Sequence, residues 1–247
     1  MLKGRVHFAL VGYRDQLENP EDQKQLEYVS RLYCDLPTGK DHQEFLRRLY
    51  QVKEASIGSQ DSPEDALAGL KLAIDQAGWS QKASYKHILL IGDASVHKSL
   101  NSFKNVTKST IPGILAMAQP TGSKGSGKCI QIHGLRVLGF DPNDRISCRK
   151  DFERITKGRE FRGLHYEYSG AKDASKFVSN LTARLREMAG YTKHIASGDI
   201  EELVKQAKVA DPGSDQSILL GPLVEAFGNA GSPPSRNGAP PLLRAFA

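Results

Sequence analysis

The residues best placed to do chemistry are carboxylates at the ends of apolar stretches. Asp93 closes the run Ile88-Leu89-Leu90-Ile91-Gly92. Apolar side chains on both parities mark a strand buried on both faces. In open α/β sheets, ligands bind in the crevice outside the carboxyl ends of the strands. Asp15 stands in the same relation to the apolar stretch Arg5–Tyr13. Asp61, Glu64 and Asp65 cluster in GSQDSPED (Gly58–Asp65), just ahead of an apolar helical stretch. Acids there also complement a helix dipole. His97 follows Asp93 by a few residues, either to orient it or ligate a metal, or simply as a surface residue.

Other chemistry is harder to place. GSKGSGKC (Gly122–Cys129) has phosphate-loop spacing. Such a loop follows a strand and opens a helix, whereas this one runs into an apolar strand pattern and reads as a flexible loop. Cys34, Cys129 and Cys148 are odd in number and widely spaced. They fit neither a disulfide framework nor a zinc site, and read as packing thiols in a reducing compartment. His7, His87 and His133 lie within strand patterns and read as core histidines. No Ser/His/Asp or Cys/His arrangement is readable in order.

Composition bounds the partners. The chain has 247 residues and a formal net charge of +6. Its cations are interspersed with acids, which reads as solvated faces rather than a nucleic-acid surface. No run approaches the ~18 apolar residues of a membrane span. The start, MLKGRVHFALVGYRD, ends in charge rather than a cleavage site, so no signal peptide is expected, and a cytoplasmic location is.

These side chains need elements to hold them. Arg5–Tyr13 and Tyr28–Asp35 read as strands able to form an antiparallel pair, with Leu17–Gln25 as a connection. His42–Val52 has helical spacing. The next helix is expected to start with Ser62 as cap and Pro63 at its first position, and to stop near Gly78 with Trp79 packed behind it. Lys86–Ile91 is the central strand. A helix over 108–119 is interrupted by Pro112. Ile130–Leu138 is a buried strand, Arg149–Thr156 a helix, Gly163–Ser169 a last strand, and Ala171–Met188 a helix. Asp199–Val209 and Ser217–Phe227 are further helical stretches, and Asn229–Pro241 is a Pro/Gly/Ser linker. The chain divides into an α/β domain over 1–190, a helical extension over 191–228 and a flexible tail over 229–247.

Alternating strands and helices imply an α/β fold. FALVGYRD (Phe8–Asp15), GSQDSPEDALAGL (Gly58–Leu70) and HILLIGDASVH (His87–His97), in this order, resemble the von Willebrand factor type A domain, in its bacterial and kinase-linked branch. The resemblance covers about residues 5–188. It implies a doubly wound, mostly parallel sheet with one antiparallel edge strand. It also implies a metal-ion-dependent adhesion site at the strand ends. Within it, Asp93 matches the acid after the fourth strand, and Glu64 or Asp61 the middle ligand, with Asp15 and His97 behind them. Mg²⁺ is the implied cation, since it takes oxygen ligands.

The family's Asp-x-Ser-x-Ser motif does not occur in this sequence. The chain therefore reads as lacking the family's first strand and helix, with the metal site incomplete. Either that strand lies elsewhere, or the strands Val6–Val11 and Ile88–Ile91 close directly on each other. The expected function is a noncatalytic protein-interaction module that binds a protein partner at the strand ends. It would depend on metal only if the missing motif is supplied. Two alternatives stay open: a metal- or nucleotide-dependent hydrolase using Asp93 and Glu64, and an accessory segment of a larger signalling or secretion protein.

Overall fold

The computed structural model describes residues 6–168, with interruptions at 54, 60, 81–82, 84–85, 120–128, 138–140 and 160–161, together with Ser179 and Thr182. The glycine-rich loop, most of the helix expected over Ala171–Met188 and everything expected after it lie outside the described residues.

The elements alternate as expected of an α/β chain. In order they are β1 (Leu10–Tyr13), α1 (Pro20–Leu26), β2 (Ser30–Cys34), a 3₁₀ turn (Thr38–Lys40), α2 (His42–Leu49), α3 (Ala66–Gln76), β3 (His87–Gly92), α4 (Ile111–Ala118), β4 (Gln131–Val137), α5 (Arg145–Lys157) and β5 (His165–Tyr168). They make two separate sheets. β1 and β2 pair antiparallel, from Leu10 opposite Cys34 to Tyr13 opposite Ser30. β3, β4 and β5 pair parallel in that order, with His87 opposite Gln131 and Gly134 opposite His165. Among the described residues, strands β1 and β3 do not pair.

The core lies where α3, α4 and α5 cover the parallel sheet. Leu67, Leu70 and Ile74 of α3 meet Ile114 of α4, Ile132 of β4 and Phe152 of α5, all almost fully buried. Trp79 packs against this cluster and donates its Nε1–H to Ala73 O at 2.8 Å. Gly134 lets α5 approach, since a Cβ there would lie 2.9 Å from Phe152 Cδ1.

Local chemistry moves several boundaries. Leu17–Gln25 is not merely a connection. Asn19 caps α1 by accepting from Glu21 N, Pro20 sits at its start and Glu21 and Asp22 fill the first turn, which together suffice to start a helix. Helix α3 begins three residues later than the Ser62-Pro63 signature predicts. Glu64 is drawn into an extended bridge with Val96, and Asp65 becomes the cap, accepting from Ala68 N at 3.2 Å. Ser62 instead donates to Asp141. Pro112 does not interrupt α4 but opens it, behind the Thr110 cap.

Burial departs from expectation on the strand edges. β3 is half-covered: of its apolar residues only Leu90 is buried, and Ile91 is 40% exposed. The first strand spans only Leu10–Tyr13, and none of its residues is fully buried. His7 is exposed rather than in the core, and so is Cys129, whereas Cys34 and Cys148 are buried thiols. His133 is a core histidine, 1% exposed, and His87 is partly buried beside it.

Candidate functional site at the strand ends

The site begins with a bridge between two loops. Glu64 donates its N–H to Ser95 O at 2.8 Å, and His97 N donates back to Glu64 O at 3.3 Å. The loop after β3 is fixed from behind by α5 and its cap. Asp144 accepts from Ser95 N at 2.6 Å and Asp151 from Val96 N at 3.2 Å. The loop after residue 98 is tied to α3 through Asp65, which accepts from Val106 N at 2.9 Å. These bonds turn His97 inward, against the expectation of a surface histidine. It is 8% exposed, and its Nε2 lies 2.7 Å from Asp15 Oδ1.

Asp15 is the hub. It is 3% exposed, stands two residues past the end of β1 and accepts from its neighbour Gln16 N at 2.9 Å. Its other oxygen meets Lys104 Nζ at 3.3 Å, and Lys104 also bonds Asp61. A histidine, an ammonium and two carboxylates thus form one continuous chain. Burial alone would raise the Asp15 carboxyl. The hydrogen bond and charge of His97, then the charge of Lys104, outweigh it and hold the group below its ordinary range. Burial would lower His97, but Asp15 raises it.

Glu64 behaves differently. Burial, then the negative charges of Asp15 and Asp93, push its carboxyl up to about 7. Near neutral pH it therefore exchanges between a hydrogen-bond donor and an anion. Asp93 is exposed at the end of β3. Glu64 and Asp93 both line a cavity of about 400 Å³, together with Asp15, Tyr13, Ile91 and Ser59.

Of the expected metal ligands, only Asp61 enters a group whose ligand atoms are close enough to share an ion. That group is Asp15, Asp61 and His97, with ligand atoms within 4.8 Å of one another. Asp15 and His97, expected behind the ligands, stand among them. Asp93 and Glu64 are gathered at the same end of the fold but outside that group. The arrangement does not fit Mg²⁺. The ion prefers near-octahedral oxygen coordination, whereas here one of three donors is an imidazole and both carboxylates already accept from Lys104.

Comparison with models of protein families, with curated proteins and with solved structures finds no match to this chain.

Two contributors carry no sequence signal. Lys104 sits in the polar stretch SLNSFKNVTKS, where nothing distinguishes it from Lys98 or Lys108. Tyr13 belongs to a strand whose pattern speaks only of burial, yet its hydroxyl donates to Ile91 O at 2.8 Å. A Cβ at Gly92 would collide with that hydroxyl, so the glycine is what lets the two strand ends meet.

Proposed function

We propose that this chain is a noncatalytic protein-interaction module of the von Willebrand factor type A kind, with a doubly wound arrangement of its strands. A protein partner binds at the carboxyl ends of β1 and β3. The observation that carries the reading is the convergence there of Asp15, Glu64, Asp93 and His97 from three separate segments. The charges of Asp15 and Asp61 are met internally by His97 and Lys104. Glu64 and Asp93 line the cavity and remain to receive a partner's cationic or hydrogen-bonding side chain. Binding of this kind needs no Mg²⁺, because the partner's own cationic or hydrogen-bonding side chain meets Glu64 and Asp93 directly.

The test compares partner retention by the wild-type chain with that by Glu64→Lys and Asp93→Lys variants, each in Mg²⁺ and in a chelator. Retention that both substitutions abolish and the chelator leaves unchanged supports the reading. Turnover of a nucleotide or phosphate ester that Glu64→Gln abolishes would replace it with the hydrolase reading.

A further inference from the structure

Helix α5 (Arg145–Lys157) presents an outward face unlike those of the other helices. Residues 145–162 hold seven lysines and arginines and three acids, a surplus of four against +6 for the whole chain. In the sequence these cations are interspersed with Asp151 and Glu153, the pattern of a solvated face. The fold undoes that mixing. Asp151 is turned into the core, where it accepts from Val96 N and meets Lys98 Nζ at 2.9 Å. Glu153 is held by Arg149 at 2.9 Å, and Arg149 also reaches Glu167 at 3.4 Å. Arg145, Lys150, Arg154 and Lys157 stand exposed on the helix, and Arg159 just beyond it. Among the described residues, none of these five side chains has an ion-pair partner.

Other helices pair their cations along their own surface: Lys24 with Glu21, Arg47 and Arg48 with Glu44, Lys71 with Asp75. On α5 the same spacings join like charges. Arg145 neighbours Arg149, Lys150 neighbours Arg154, and Arg154 neighbours Lys157, each an unfavourable pair. Arg145 also opens a first turn that holds no acid, against the positive end of the helix dipole. These placements destabilise the helix by itself, and an anionic chain laid along it relieves them.

Geometry selects the anion. At 3.6 residues per turn, Arg145 and Arg149 lie on one flank of the exposed face and Lys150 and Arg154 on the other, roughly 140° apart around the axis. A flat anionic membrane meets one flank at a time, and Ile146, 68% exposed, is the one apolar side chain α5 offers it. A groove with phosphates along both rims meets both flanks together. The major groove of B-form DNA, about 12 Å wide, admits a helix about 10–12 Å across. The exposed residues of α5 include no aromatic ring to stack on an unpaired base, and no side-chain amide to read adenine.

We propose that the outward face of α5 binds the phosphate rims of double-stranded DNA without regard to sequence. Arg145, Arg154 and Arg159 offer guanidinium forks that match phosphate oxygens, and Lys150 and Lys157 add point charges. Phosphate contacts of this kind position a protein on the duplex and carry no base information. The face is distinct from the acid-lined cavity at the strand ends, so this inference does not depend on the protein-partner reading.

The probe is a fluorescein-labelled DNA duplex of about two helical turns, titrated with the full chain at several salt concentrations and read by anisotropy. Five phosphate contacts predict saturable binding whose log affinity falls with log salt at a slope of about −4.5. Lys150→Gln combined with Arg154→Gln removes two contacts from one flank. It is expected to flatten the slope by about 2 and to weaken binding about 50-fold near 0.1 M salt, at unchanged melting temperature. Lys24→Gln combined with Lys71→Gln takes the same net charge from α1 and α3 and leaves binding unchanged. A single strand of the same length, with one row of phosphates, binds more weakly than the duplex. Absence of saturable binding, or equal weakening by the two double variants, would overturn the proposal and leave α5 a solvated face. Equal affinity for the single strand or for polyglutamate would overturn it in favour of charge alone. Binding to phosphatidylserine vesicles in preference to the duplex would overturn it in favour of a membrane.

Discussion

His97 Nε2 and Asp15 Oδ1 stand 2.7 Å apart although 82 residues separate them in the sequence. The bond ties the end of β1 to the loop after β3, which no strand pairing joins. Each partner is almost fully buried, so each depends on the other for a hydrogen bond that water cannot supply.

Replacing His97 therefore removes more than a charge. His97→Ala is expected to destabilise the fold by about 2 kcal/mol, since it leaves the buried Asp15 oxygen without its imidazole partner. Lys104 remains on the other oxygen and limits the loss. His97→Gln, which keeps a donor, is expected to cost about half as much. The pair has a pH signature. His97 is raised above 6.5, so its contribution is full below that pH and fades as pH rises through the folded value. Asp15 is lowered from 3.8, so its contribution is full above that pH and fades as pH falls through the folded value. The mutational penalty is thus greatest between these two ordinary values, and chemical denaturation across pH measures it.

Glu64 carries the opposite sign. Its carboxyl is raised from 4.5 to about 7, so the folded state holds a proton that the unfolded state has released. Stability attributable to Glu64 falls between those values and is constant above them. Glu64→Gln is expected to raise the melting temperature at pH 8 and to leave it unchanged at pH 4. An equal effect at both would assign the gain to packing rather than to the charge.

A second pair, with His133 buried and His87 partly so, sets the acid limit. His87 Nδ1 lies 2.9 Å from His133 Nε2, and Leu164 N donates to His133 Nδ1 at 3.1 Å. With Nδ1 accepting, Nε2 of His133 carries the proton and donates it to His87, which fixes both rings as neutral. Burial, joined at His87 by the charge of His133, lowers the pair to about 3 and about 4. The unfolded chain takes up protons below about 6.5, so stability declines from there downward. Two-dimensional NMR of the imidazoles should show neither ring titrating between pH 5 and 8, and His133→Gln should flatten the acid limb of the stability profile.

Much of the scaffold was legible because the strands and helices carry periodic apolar patterns. The run Ile88–Ile91 announced β3, and Tyr28–Asp35 announced the partner of β1. Boundaries failed where a polar side chain found a better bond than the local signal offered. Ser62-Pro63 resembles a helix start, but the Glu64–Val96 bridge pulls that segment straight and hands the cap to Asp65. The site was legible in its acids and, as one of several readings, in His97. Asp15, Asp61, Glu64 and Asp93 stand at element ends, where position alone suggests a role. Lys104 and the inward turn of His97 depend on bonds made by Asp144, Asp151 and Asp65 from distant segments, which no spacing encodes.

The most direct measurement of the central claim is photo-crosslinking of the full chain from position 93. A photoreactive phenylalanine analogue replaces Asp93 in one sample and Asp75, at the far end of α3, in another, and each is irradiated with cell extract. The account predicts a discrete protein adduct from position 93, none from position 75, and loss of the adduct when Glu64→Lys is added. Equal labelling from both positions, or an adduct indifferent to Glu64→Lys, would contradict it.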